Sequence, residues 1–197
     1  MRDLGTWLLL KRTGLSGLVP LIVVGVMLPL GLLLSAAHVT AEIRGFYLDV
    51  SVRFVGPVFA AWWPALVYRE RIEGEGRELF YLLKPRGEAR TLLRLAVLYA
   101  ATLAPLLMAG LTVAEFTVQM AALLVARSWL VMTFCFCLAF MLGSSALSVM
   151  AAIGFNAVGM PFIEHCIENP AVLMPLYGLA GTLLTVLGEF TSRRFRG

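Results

Sequence analysis

The sequence predicts an all-α polytopic membrane protein with six transmembrane helices, and three observations predict it. Sixty per cent of the 197 residues are hydrophobic and only 14% are charged, against about 25% charged in soluble domains; mean hydropathy is +0.87. Apolar runs recur along the whole chain, most of them long enough for a ~30 Å hydrocarbon core. No run alternates like a barrel strand, and in lipid the remaining way to satisfy every backbone group is a helix. Finally, the basic residues behind the net charge of +4 mostly flank apolar runs, so they read as topology determinants and not as a nucleic-acid surface.

Taken in order, residues 1–13 are short and amphipathic, with Leu4, Trp7 and Leu8 on one face and Lys11 and Arg12 at the end. A tryptophan beside basic residues predicts a helix lying in the membrane interface. The first span is expected at 14–38, with Pro20 and Pro29 as kinks. It is too long for a signal-peptide core and lacks a small-residue cleavage site, so it reads as retained. Residues 39–53, carrying Glu42, Arg44, Asp49 and Arg53, read as an outer loop.

The second span is expected at 54–69, bounded by arginines that snorkel outward. Further spans are expected at 92–114, 120–143, 146–163 and 171–190. The fourth start is open, because Gln119 and Arg127 fit either a span or an interfacial stretch. Gly143-Ser144-Ser145 divides a charge-free run too long for one crossing. Thirteen basic residues fall on one side of this arrangement and three (Arg44, Arg53, Arg127) on the other. That bias predicts cytoplasmic N- and C-termini and a multi-pass protein of the plasma membrane.

One long polar segment interrupts the apolar pattern. Residues 70–91 lie between spans two and three on the inner side, and the charges begin at Arg69 and run to Arg94. Within them Ile72, Leu79, Phe80 and Leu83 fall on one face of a helix, and Pro85 stops it. Such a helix presents a surface to a partner or to the membrane.

Motifs for chemistry are few. No GxxxxGK[ST] run is present, and the glycines of Gly74-Glu75-Gly76 follow no strand and carry acids that would repel phosphate. Cys135 and Cys137 point apart on a helix and Cys166 stands alone, which suits packing better than metal or redox work. Glu164, His165 and Glu168 form a His/acid cluster, read either as a metal or hydrolytic group or as a solvated outer loop or polar lip of a transport path. With no second motif beside it, the loop or lip is preferred. Ser144 invites comparison with an intramembrane hydrolase but suits a tight helix turn better. Asn156 is the polar residue deepest in an apolar run, read as an interhelical hydrogen bond or a path-lining group. Arg127 and Glu189 stand near expected span ends and are read as snorkelling.

The polar segment resembles the one after the second span in permeases of type 2 ABC exporters. That family carries an acidic–basic run, Glu-Gly-Thr, a short amphipathic helix and a proline nine residues after the glycine. Here the run is Arg69-Glu70-Arg71-Ile72-Glu73, followed by Glu75-Gly76, a helix from Glu78 to Lys84, and Pro85, with Arg86 and Arg90 beyond. Arg77 replaces the threonine, and Leu79 stands where the family has an acid. The resemblance implies a transport subunit without catalytic residues or a cofactor of its own. ATP and magnesium would belong to a partner ATPase docked through Glu70, Glu73, Glu75, Gly76, Glu78, Leu79, Phe80, Leu83, Pro85 and Arg86. It also implies a second permease copy or a paralogue, with Asn156, Glu164 and His165 as candidate path residues. An apolar-walled path would suit a lipid, a hydrophobic peptide or a drug-like compound. The alternatives are the substrate-binding membrane component of a vitamin importer, which would need a polar pocket within the spans, and an intramembrane hydrolase.

Overall fold

The computed structural model describes residues 14–74, 87–167 and 169–194. The described residues form six helices long and apolar enough to cross a membrane. They are α1 (Gly14–Ser35), α2 (Ala41–Ile72), α3 (Glu88–Gly110), α4 (Val118–Leu142), α5 (Ser145–Cys166) and α6 (Ala171–Arg194). The protein is therefore a multi-pass membrane protein of all-α architecture. Its outer surface fits that setting: Leu15, Val158, Phe162, Leu183 and Val186 are all more than 60% exposed, a display that a water-facing surface would not carry. The interfacial helix expected at 1–13 and most of the polar segment, residues 75–86, lie outside the described residues, as does Glu168.

Successive helices run in opposite directions, so the bundle has two ends. One, here called the platform end, gathers Gly14, Ile72, Glu88, Leu142, Ser145 and Arg194. The other is called the cleft end. Gly87 and Gly143 make two of the platform-end turns in the left-handed region, at φ 60° and 64°, where a side chain would be strained.

α4 is the axis of the bundle. It is apolar around most of its circumference, as a largely enclosed helix is, and 72% of its most apolar window is buried against 22% for α5 and for α6. Phe136 and Phe140 of α4 hold the Tyr68 ring of α2, with centroids 5.1 and 5.3 Å away. α6 lies close against α4 because Gly181 and Gly188, two turns apart, offer no side chain. A Cβ at either position would collide with Trp129 or Phe136. Small residues at such contacts let two helices approach where lipid gives no hydrophobic push.

Three π-turns interrupt the helices, at Val23–Met27, Ser51–Val55 and Phe155–Gly159. Each is followed two residues later by a proline: Pro29, Pro57 and Pro161. Proline lacks the N–H that would close the turn and its ring crowds the carbonyl four residues back, so the preceding turn widens. Carbonyls thus released need other donors. At Pro20 the carbonyl of Ser16 takes one from Trp62 Nε1 at 2.9 Å, and its neighbour Gly17 accepts from Trp63 Nε1 at 2.8 Å. These two bonds seat the start of α1 on α2.

Helix boundaries differ from the sequence expectation most at α2. The expected outer loop at 39–53 is helical from Ala41 onward, and α2 runs 32 residues to Ile72. At 1.5 Å per residue that is about 48 Å, longer than the ~30 Å core. Four charges suggested a loop, but on a helix three of them find partners: Arg53 pairs with Asp49 one turn away at 2.5 Å, and Arg44 with Glu115 at 2.5 Å.

Candidate functional site

The centre of the cleft end is a carboxylate shared by four helices. Glu164, two residues from the end of α5, accepts from Arg127 Nη1 of α4 at 2.8 Å and from Arg53 Nη1 of α2 at 2.9 Å. Tyr177 of α6 donates its hydroxyl to the same carboxylate at 3.3 Å. The Arg127 side chain is 1% exposed and that of Glu164 9% exposed. A charge pair so enclosed is strongly costly to break, because the surviving partner is left uncompensated at low dielectric.

Two of the prolines explain the polar floor beneath it. Pro57 has no N–H for the carbonyl of Arg53, and Asn156 Nδ2 donates there and to the carbonyl of Phe54, both at 3.3 Å. In the widened turn Met160 N–H reaches back five residues to Phe155 and Pro161 has no N–H to repeat that step onto Asn156, so Arg127 Nη2 donates to the Asn156 carbonyl and to its Oδ1, both at 3.3 Å. Asn156 is 1% exposed and ties α2, α4 and α5 together. The result is a polar pocket of about 430 Å³, lined by Asp49, Arg53, Phe54, Arg127, Asn156, Ala157, Pro161, Glu164 and His165.

Two sequence readings are corrected here. Arg127 does not snorkel: α4 begins at Val118 with Thr117 as its N-cap, so Arg127 stands nine residues in, about 13 Å below the helix start. Glu164 and His165 are not a loop but the last turn of α5. Of the His/acid cluster, His165 lies exposed on the lip, while Glu164 points inward to the two arginines. Ser144 sits at the platform end, some twenty residues or about 30 Å along α5 from Glu164, so it and the His/acid cluster belong to separate places in the fold. Among the described residues, no three His, Cys, Asp or Glu side chains gather to hold a metal.

The platform end uses its acids differently. Glu73 accepts from the Ser145 backbone N–H at 2.7 Å and from its Oγ at 3.1 Å, capping the N-terminus of α5. The backbone bond above all, then the hydroxyl, holds the Glu73 carboxyl below its usual range. Glu189 does the same for α3, accepting from Ala89 N–H at 2.9 Å, which replaces the snorkelling expected of it. Acids at helix N-termini satisfy free N–H groups and oppose the macrodipole. Between them, Arg71 of α2 and Glu88 of α3 form a buried ion pair, and Tyr68 donates to the Glu88 carbonyl at 3.0 Å.

Of the nominated docking residues, Glu70 and Glu73 are described, and the Glu73 carboxylate is occupied within the chain. Glu75, Gly76, Glu78, Leu79, Phe80, Leu83, Pro85 and Arg86 lie outside the described residues. Of the nominated path residues, Asn156 and Glu164 meet and His165 borders them. Arg53 and Arg127 were missed as site residues; the signal for Arg127 was a lone charge nine residues into a charge-free run. No protein-family model, curated protein or solved structure matches this chain.

Proposed function

We propose that this chain is the membrane-spanning permease subunit of an ATP-driven transporter of the type 2 ABC exporter kind. A separate ATPase subunit would supply the ATP chemistry, and a second copy or a paralogue would complete the path. Both termini and the 70–91 segment face the cytoplasm of a plasma-membrane protein in this reading, as the basic-residue bias requires. The observation that carries it is the charged segment between spans two and three, which resembles the coupling region of that family. Its two roots are firmly mounted: Arg71–Glu88 joins α2 to α3, Glu73 reaches α5, and Glu189 joins α3 to α6. A push on the segment is thereby carried to four spans, as a population shift between two arrangements demands.

Affinity purification of the tagged chain from its native membrane tests this. An ABC ATPase is expected to co-purify, and Leu79→Asp and Phe80→Asp are expected to release it. If an ATPase co-purifies and both variants retain it, the docking role fails.

A second reading has one specific observation in its favour. The substrate-binding component of a vitamin importer needs a polar pocket within the spans, and the Arg127–Glu164–Asn156 pocket is one. Tight vitamin binding by the isolated chain would favour that reading over the first.

A further inference from the structure

We propose that the cleft floored by Arg127 and Asn156 binds the headgroup of a zwitterionic phospholipid, an ammonium joined to a phosphodiester. Its acyl chains would lie along the apolar flank of α5. As a transport substrate this ligand rests on the function proposed above; as a bound lipid it does not.

Charge is the first argument. The groups facing the cleft are Asp49 and Arg53 from α2, Arg127 from α4, Asn156, Glu164 and His165 from α5, with Tyr177 behind from α6. Two arginines balance two carboxylates, so the formal charge with neutral histidine is zero. A ligand of net charge would bring an uncompensated ion into a low-dielectric site, which is costly. A dipolar ligand keeps the balance, exchanging the two ion pairs of Arg53 for two with the ligand.

The mouth permits that exchange. The Arg53 and Asp49 side chains are 48% and 50% exposed and pair with each other. If Arg53 turns to a phosphate and Asp49 to an ammonium, Glu164 still keeps Arg127 and Tyr177. Glu164 gives up only its bond to Arg53, and the buried Arg127–Glu164 pair is untouched. Beneath, Arg127 Nε is buried without a hydrogen-bond partner among the described residues, a donor with unused capacity at the floor.

Shape and surroundings assign the source. The pocket's roughly 430 Å³ falls within the 300–1,000 Å³ typical of small-molecule sites. Its walls include Phe54, Ala157 and Pro161, and beside them Val158 and Phe162 are 73% and 68% exposed. On a membrane-spanning helix such exposed apolar residues suit contact with lipid, so acyl chains would have a surface to lie on beside the cleft. A free water-soluble zwitterion would leave that flank unused.

The test uses the purified chain without an ATPase. After delipidation it is offered equal amounts of phosphatidylethanolamine and phosphatidylglycerol in detergent, and retained lipid is read by native mass spectrometry. Phosphatidylethanolamine is expected to be retained about tenfold better. Asp49→Asn and Arg53→Gln, both at the exposed mouth, are expected to abolish the preference while the chain stays monodisperse and keeps a cooperative melting transition. Equal retention of both lipids, preference for phosphatidylglycerol, or a preference indifferent to both variants overturns the proposal. Soluble glycerophosphoethanolamine is the source control. Weak competition at millimolar concentration supports the lipid, and competition as strong as the lipid's own overturns it. None of these outcomes bears on ATPase docking, so the two proposals fail separately.

Discussion

Arginine–glutamate pairs stand at both ends of the bundle, yet the two ends are built on different plans. At the platform end the work is divided among three acids, and none of them gathers two buried arginines among the described residues. Glu88 neutralises Arg71, Glu73 caps α5 and Glu189 caps α3. The contacts are pairwise and join neighbours, like fasteners. At the cleft end a single carboxylate, Glu164, serves Arg53, Arg127 and Tyr177 at once, and a pocket remains beside it. Shared partners make an arrangement that can be re-dealt without leaving a charge bare; dedicated ones do not. The difference suits an end that holds and an end that receives.

The sharpest way to break this comparison is to remove one acid from each end. Glu164→Ala and Glu88→Ala each strand a buried arginine and are expected to cost roughly 3–5 kcal/mol in reversible unfolding in mixed micelles. The repairs should then differ. Arg71→Met with Glu88→Leu is expected to recover most of the loss, because both charges of that buried pair leave together. Arg127→Met with Glu164→Leu is expected to recover less, because Arg53 and the Asn156 carbonyl lose partners too. Equal recovery at the two ends would remove the distinction.

Asn156→Leu comes next. It leaves the carbonyls of Arg53 and Phe54 without their shared donor, an expected cost of about 1–3 kcal/mol, with hydrogen exchange rising around Arg53 more than at the platform end.

Glu73→Gln tests the capping role at the platform, with an expected loss of about 1 kcal/mol at neutral pH. Its pH dependence has a definite sign. The folded-state pKa of Glu73 is depressed, so its contribution is present above the ordinary carboxylate value of about 4.3 and is lost as pH falls through the lower folded value. Wild type and variant should therefore converge in acid. A gap that persists there would mean Glu73 acts by packing.

The smallest effect is expected at the surface of the cleft end. Arg44 holds the Glu115 carboxyl below its usual range, chiefly through the hydrogen bond it donates. Arg44→Ala should raise the Glu115 pKa in a carboxyl ¹³C titration and barely move stability, as exposed pairs do.

Much of the fold was legible in the apolar runs, since burial in lipid follows from local composition. The number of spans, the turn at Gly143 and the polar segment between α2 and α3 were all readable. The first half of α2 was not. Glu42, Arg44, Asp49 and Arg53 looked like loop residues, and only the four-residue step from Asp49 to Arg53 hinted at a helix. Of the site, Asn156 and Glu164 were named but not joined. The prolines carried a signal that went unread: Pro57 and Pro161 mark where carbonyls lose their N–H, and therefore where Asn156 and Arg127 are needed.

By itself, then, the sequence determined the solvent of this protein, the count of its helices and the points where their hydrogen-bond ladders break. Those are properties of windows and single residues, and they do not depend on distant parts of the chain. The tertiary structure alone decided which charges meet. Arg53 and Glu164 are 111 residues apart and Arg127 and Asn156 are 29 apart, and their meeting depends on how far each helix is turned about its axis and how deep it sits. A shift of one turn would carry Arg127 about 5 Å along α4, enough to take its guanidinium out of hydrogen-bond reach of Glu164.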